Sequence, residues 1–244
     1  MLCGGQYTRL TRAPPVPSRP RAPAERPAGG APFNYAALVT LVDLLVWVGT
    51  LTFAATGALI ALRKGFDLIG VLVLASTTAI GGGSIRDVIV GVLPPTNFTD
   101  ETLLWMVAVT ALGVSFLPHR FREESRLLYV LDTVGLAIFA ALGAERGVEY
   151  GLGMWGTVFA GAVSGVGGGV LRDVLAGKVP GIFYRSGDFY ASAAAMGALT
   201  YYFVSYLDAT VAIAAAALVT VGVRIGSRIL KLELPMPRRR DEAE

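Results

Sequence analysis

A seven-residue stretch occurs twice inside apolar surroundings, as GGGSIRD at Gly81–Asp87 and as GGGVLRD at Gly167–Asp173. The copies lie 86 positions apart. At that offset Gly57-Ala58, Gly65, Gly70, Val88, Gly91 and Pro94 fall without a gap on Gly143-Ala144, Gly151, Gly156, Val174, Gly177 and Pro180. Three consecutive glycines disfavour a helix in water, and an arginine beside an aspartate is costly in lipid. A chain that holds both, twice and at matching depth, is constrained to a duplicated architecture that carries polar groups into a membrane.

The composition agrees with that constraint. Hydrophobic residues make up 54% of the chain, charged residues 16%, and the mean hydropathy is +0.59. A soluble domain carries about a quarter charged residues, spread over its helix faces. Here the charges cluster between long apolar runs, which predicts an all-α polytopic membrane protein with the lipid bilayer as its first partner. Cys3 is the single cysteine, so neither an intrachain disulfide framework nor a cysteine-based metal site can form. His119, the single histidine, sits beside Arg120 and cannot build a metal cluster or a triad alone. No G-x-x-x-x-G-K-[ST] loop is present, so no ATP-driven pump is indicated. No nucleophile–base arrangement is visible either. The expectation is a protein without catalytic residues, metal or cofactor, and the formal charge of +3 gives no reason to invoke nucleic acid.

Residues 1–32 alternate prolines (Pro14, Pro15, Pro17, Pro20, Pro23, Pro27, Pro32) with arginines (Arg9, Arg12, Arg19, Arg21, Arg26) and hold no apolar run long enough to bury. They read as a disordered tail, either a basic membrane-proximal arm or a mis-assigned start. Seven apolar segments follow, near 36–62, 66–93, 102–118, 127–147, 152–178, 188–206 and 209–230. The expected organisation is a first three-helix unit at 33–121, a second at 122–207, a seventh helix at 208–231 and a charged tail at 232–244. A repeat of three spans is odd, so the second copy must enter the membrane from the opposite face, the inverted plan of many transport proteins.

Loop charges orient the spans. Arg63 and Lys64, then Arg120, Arg122 and Arg126, then Lys178 and Arg185 follow the first, third and fifth segments. Arg228, Lys231, Arg238, Arg239 and Arg240 close the seventh on the same side. Asp100 and Glu101, then Glu145, Arg146 and Glu149, then Asp208 mark the other side. The expected orientation is C-terminus in the cytoplasm and N-terminus outside, against the simple count of arginines in the tail.

From Phe66 to Ile80 is ~22 Å of helix, which carries Gly81 to about mid-bilayer. The second and fifth segments are therefore expected as two helical pieces joined at Gly81, Gly82 and Gly83 and at Gly167, Gly168 and Gly169. Backbone freed there must be satisfied by other helices, water or an ion. Two readings follow: a pore or substrate path along the breaks, or close helix packing through small residues. Ser76, Thr77, Thr78 and Ser164 thicken the polar stripe before each triplet, although such hydroxyls often bond their own backbone.

The charged pairs Arg86-Asp87 and Arg172-Asp173 also have two readings. Ser84 to Asp87 spells a capping box for the second half-helix, with Asp173 capping its own half-helix without the serine. Alternatively the arginines find acids at the same depth, Arg86 with Asp43 and Arg172 with Asp132, either as structural struts or along a path.

The duplicated GGGxxRD signature in a three-plus-three-plus-one plan resembles the prokaryotic branch of the trimeric intracellular cation (TRIC) channel family over about residues 36–230. Such sequences are also grouped under a glycine-transporter-type domain name, a label that is not evidence of glycine transport. The resemblance implies a homotrimer in the plasma (inner) membrane with a pore through each protomer, conducting potassium and other monovalent cations. It also implies that kinked second and fifth helices shape the pore at Gly81, Gly82, Gly83, Arg86, Asp87, Gly167, Gly168, Gly169, Arg172 and Asp173. Animal members carry KEGDG at the first break; this chain has AIGGGS, so ideas tied to that lysine do not transfer.

Half-helix amino termini near the midplane would favour anionic groups, and the carbonyl ends beside them would favour cations. A passive cation channel, a secondary transporter of a small zwitterion such as glycine, and a non-conducting assembly protein thus remain distinct outcomes of the same residues.

Overall fold

The structure, a computed structural model, describes residues 35–117, 125–183 and 189–231. The Pro/Arg-rich tail, His119, Arg120, Arg122, Arg185 and the tail at 232–244 lie outside the described residues. Among those described, the regular elements are helices: α1 (Tyr35–Arg63), α2 (Leu68–Val90), α3 (Thr96–Thr99), α4 (Glu101–Ser115), α5 (Ser125–Glu149), α6 (Met154–Leu175), α7 (Tyr190–Val204) and α8 (Ala209–Ile229), with a 3-10 turn at Gly181–Phe183.

Five of them, α1, α2, α5, α6 and α8, are long and apolar enough to cross a membrane. Helices α4 and α7 have 15 residues each, ~22 Å against a hydrocarbon core of ~30 Å. Large apolar side chains stay outside the packed interior, with Trp105 70%, Trp155 75%, Leu218 72% and Phe116 86% exposed. Water would not tolerate that surface on so small a domain; lipid does. The fold is an all-α, multi-pass membrane fold.

Local chemistry sets the helix ends, and the carboxyl ends of the two repeats match. Asp67 caps α2 by accepting from the Gly70 amide at 2.7 Å. Gly91 ends α2 in the left-handed region (φ 84°), and Gly177 does the same after α6 (φ 68°). Around them Val92 N donates to Asp87 O and Lys178 N to Asp173 O, both at 2.8 Å. A side chain would be strained at that φ, which is why glycine stands there in both copies.

The interior is organised around Phe53 on α1, 1% exposed, whose ring meets Phe139 of α5 with centroids 5.3 Å apart. It fits because Gly135 of α5 has no side chain where that ring lies, and a Cβ on Gly168 of α6 would stand 3.2 Å from it.

The duplication is visible as matched contacts. A Cβ on Gly57 would strike the Ala75 Cα and Leu74 O, both at 2.7 Å. One on Gly143 would strike Gly161 Cα and Ala160 O, both at 2.9 Å. Each of these residues stands 86 positions from its counterpart.

The expected helix breaks are absent. Helix α2 runs unbroken through Gly81–Gly83, and α6 through Gly167–Gly169. Each glycine costs a helix about 1 kcal/mol relative to alanine, but here the two helices press together where the side chains are missing. A Cβ on Gly82 would collide with Ser164 O, one on Gly168 with Thr78 O, and one on Gly167 would lie 2.9 Å from Gly82 Cα. The triplets act as a close-packing seam between the repeats, and no half-helix amino terminus arises at the glycines.

Candidate functional site

An Arg–Asp centre lies near the carboxyl end of each seam helix. In the first, Arg86 donates to the neighbouring Asp87 Oδ1 through Nε (3.0 Å) and Nη2 (2.7 Å). Its Nη1 reaches across the seam to Ser164 Oγ at 3.3 Å. The other carboxylate oxygen accepts from Thr96, from the amide at 2.9 Å and the hydroxyl at 2.7 Å. Asp87 is thereby enclosed, its side chain 1% exposed.

Two expectations for this centre do not hold. Asp87 is no capping-box acid: helix α2 is continuous there, so no amides are left to cap, and Ser84 Oγ donates to Ile80 O at 2.8 Å. Arg86 does not pair with Asp43. Its own neighbour already holds it, and Asp43 is exposed near the start of α1.

The second centre draws on more elements. Arg172 on α6 donates through Nη1 to Asp132 Oδ1 of α5 at 2.7 Å and to Thr56 Oγ1 of α1 at 3.2 Å. Its Nε meets Asp173 Oδ1 at 3.0 Å. Arg224 of α8 donates to Asp132 Oδ2 at 2.8 Å, and the Tyr190 hydroxyl of α7 lies 3.4 Å from Asp132 Oδ1. The Arg224 guanidinium sits over the rings of Tyr190 (4.4 Å) and Tyr129 (4.9 Å), and Arg228 over Tyr129 (3.9 Å). Such faces attract cations, so the aromatic walls help hold the arginines in place.

This centre borders a cavity of about 300 Å³ lined by Arg172, Arg224, Arg228, Asp132, Asp173 and Tyr190, among others. Asp173 keeps 20% of its side chain exposed, against 1% for Asp87, its counterpart in the first copy. The two copies of one signature therefore form a sealed centre and an accessible one.

The remaining polar residues behave as membrane hydroxyls commonly do. Thr77 donates to Val73 O (2.8 Å) and Thr78 to Leu74 O (2.6 Å), within their own helix. Ser76 is half-buried, and Ser164 alone of the set touches a charged group. Sequence reasoning missed Arg224, 3% exposed in the last two turns of α8. An arginine inside a span was the available signal. It also missed Thr56, Thr96 and Tyr190, whose parts depend on tertiary proximity that no spacing reveals.

A family model described as glycine transporter matches this chain twice, over residues 43–119 and 129–206. Over 162 residues the chain is 48% identical to a UPF0126 membrane protein of Deinococcus radiodurans, covering 65% of this chain and 75% of that one. It is 36% identical over 199 residues to the UPF0126 inner membrane protein YadS of Escherichia coli K12, covering 80% of this chain and 95% of YadS. Among solved structures it resembles one described under conductance through TRIC cation channels, at 35% identity and a TM-score of 0.74, covering 81% of this chain and 97% of that one. It also resembles a TRIC trimeric intracellular cation channel orthologue from Rhodobacter sphaeroides, at 31% identity and a TM-score of 0.71, covering 79% of this chain and 100% of that one. These likenesses are to transport-type proteins rather than to enzymes. With the family model matched over both halves of the fold, the chain belongs to the UPF0126 membrane proteins, built from two glycine-transporter-type units and homologous to the prokaryotic TRIC channels.

Proposed function

We propose that this protein is a monovalent-cation channel, with potassium its principal ion, in the plasma (inner) membrane. The path runs along the α2–α6 seam of each protomer, and three copies assemble. The observation that carries the reading is that seam: two glycine triplets in close contact with an Arg–Asp centre on either side. Proteins described as cation channels, one of them as trimeric, share the fold at 31–35% identity and support the cargo and the assembly.

In this reading seven helices cross the bilayer. Residues 33–121 and 122–207 insert in opposite orientations, 208–231 add the seventh helix, the N-terminus is outside and the C-terminus cytoplasmic. The matched contacts at Gly57 and Gly143 support the duplication, and the loop charges support the orientation. The pore-forming set is Gly81–Gly83, Arg86 and Asp87 with Gly167–Gly169, Arg172 and Asp173, and Ser164 bridges the two copies. A Cβ on Gly167 would lie 2.9 Å from Gly82 Cα, so in this reading conduction requires the helices to part there.

One observation favours a second reading. A cavity of about 300 Å³ with three arginines in its wall also suits a carrier that seats the carboxylate of a small zwitterion such as glycine.

Potassium flux into liposomes holding the purified full chain, with excess glycine as competitor, separates the two. Fast potassium flux that ignores glycine and falls in Asp173→Asn supports the channel. Saturable glycine uptake without potassium flux overturns it. A Gly82→Leu Gly168→Leu variant is expected to abolish flux, but it also strains the seam, which is why the cavity-facing Asp173→Asn accompanies it.

A further inference from the structure

The third glycine of each triplet seats a polar side chain that comes from outside its own helix. A Cβ on Gly83 would lie 2.8 Å from Asn97 Nδ2 of α3, and one on Gly169 would lie 2.5 Å from the hydroxyl of Tyr190 of α7. Each seat adjoins the arginine of its copy, 3.8 Å from Arg86 Nη2 and 3.7 Å from Arg172 Nη2. Asn97 and Tyr190 are not counterparts under the 86-residue offset. The loops after the two signatures have diverged, yet each delivers a hydrogen-bonding group to the same glycine.

Asn97 is not needed there to satisfy the backbone. Its Nδ2 donates to Ile80 O at 3.1 Å, but that carbonyl already accepts from Ser84 Oγ at 2.8 Å and, in an unbroken helix, has an amide partner four residues on. Its second contact, to Ser84 Oγ, is long at 3.4 Å. The helix that carries it has four residues and an outward-facing Phe98, 57% exposed. Helix α3 is tied down through Thr96, whose amide and hydroxyl both hold Asp87. Asn97 therefore hangs over Gly83 on a short, exposed segment hinged beside the sealed Arg–Asp centre. Tyr190 stands at the start of the 15-residue α7, with the Arg224 guanidinium 4.4 Å over its ring and a long 3.4 Å contact from its hydroxyl to Asp132 Oδ1.

We propose that Asn97 is the access-controlling side chain at the α3 end of the seam, closed when its amide rests on Gly83, with Tyr190 its counterpart on Gly169. As the gate of an ion path, this rests on the function proposed above. As a physical plug over Ser84 it stands without it.

The test separates the two. In the full chain with Cys3→Ser, a Ser84→Cys thiol placed beneath Asn97 is probed in nanodiscs, open to both faces, with a charged methanethiosulfonate reagent. Asn97→Ala is expected to speed modification roughly tenfold, the factor expected from losing a hydrogen bond that favours the closed form. Gly83→Ala, whose Cβ evicts the amide, is expected to do the same, and the double variant to add nothing, since both act on one contact. Unchanged reactivity in Asn97→Ala, or slower reaction in Gly83→Ala, overturns the plug. The Asn97→Ala and Gly83→Ala variants without the added thiol are then assayed for potassium flux in liposomes. Faster flux supports the gate. Exposed thiol with no potassium flux in any variant leaves the plug standing and removes the channel reading.

Discussion

Arg172 Nη1 stands 2.7 Å from Asp132 Oδ1 across the α5–α6 interface, and Arg224 of α8 takes the second oxygen of the same carboxylate at 2.8 Å. One acid thus joins three helices from the second half of the chain. Its side chain is 7% exposed, and those of the arginines 8% and 4%. Removing the acid while keeping its shape, in Asp132→Asn, leaves two buried guanidinium groups short of counter-charge. The expected loss is about 3–5 kcal/mol, read as a lowered Tm of the full chain in mild detergent. An unchanged Tm would show that the arginines find other partners and that the centre does not brace the fold.

The seam makes a graded prediction about glycines that look equivalent in sequence. A Cβ on Gly82 or Gly168 meets a backbone carbonyl of the facing helix, which cannot move without moving the helix. One on Gly81 meets chiefly the Leu171 Cδ1 at 2.5 Å, the end of a flexible side chain that can rotate away. Gly82→Ala and Gly168→Ala are therefore expected to cost about 1–3 kcal/mol. Gly81→Ala should stay within about 1 kcal/mol of the parent, because helix propensity offsets the displaced leucine. Equal losses at the three positions, in thermal unfolding, would rule out the seam geometry.

The same glycines show how far the sequence could be read. The offset that aligns Gly81–Asp87 with Gly167–Asp173 was legible as a duplication, because glycine and charge in apolar runs are rare enough to register. Asp132 with Arg172 was reachable, since intramembrane acids are few and depth follows from helix rise. What the triplets do was not reachable. A glycine permits both a break and a close approach, and only the facing Ser164 and Thr78 carbonyls select the second. The Asp43–Arg86 pairing failed for a local reason, because depth arithmetic ignores a carboxylate one residue away. Arg224 needed only the rule that a charge inside a span has a partner, applied to the last helix as it had been to the others.

Thr96 gives the sealed centre its lid. Its hydroxyl and amide both donate to Asp87 Oδ2, at 2.7 and 2.9 Å. Thr96→Val keeps the shape and the amide but removes the hydroxyl, which donates to an ionised, enclosed group. The expected loss is about 1–2 kcal/mol, with faster amide hydrogen exchange across α3 and little change in α8. Protection that falls equally in both helices would mean that Thr96 acts on the whole fold rather than locally on α3.

Arg228 tests the electrostatics of the open cavity. The wall holds three arginines, Arg172, Arg224 and Arg228, and two aspartates, Asp132 and Asp173, a surplus of one positive charge. Arg172 and Arg224 are bound to Asp132, whereas Arg228 is an exposed residue lying on the Tyr129 ring. If cations enter here, that charge lowers their local concentration, and Arg228→Gln removes it without disturbing the buried ion pairs. Potassium flux at low ionic strength is then expected to rise about twofold, because a single exposed charge at a mouth shifts the local potential only modestly. The gain should vanish near 1 M salt, where the Debye length falls to about 3 Å. A gain that persists at high salt would point to steric widening by the shorter side chain. A loss of flux would mean that the cavity favours an anionic group, as the carrier reading requires.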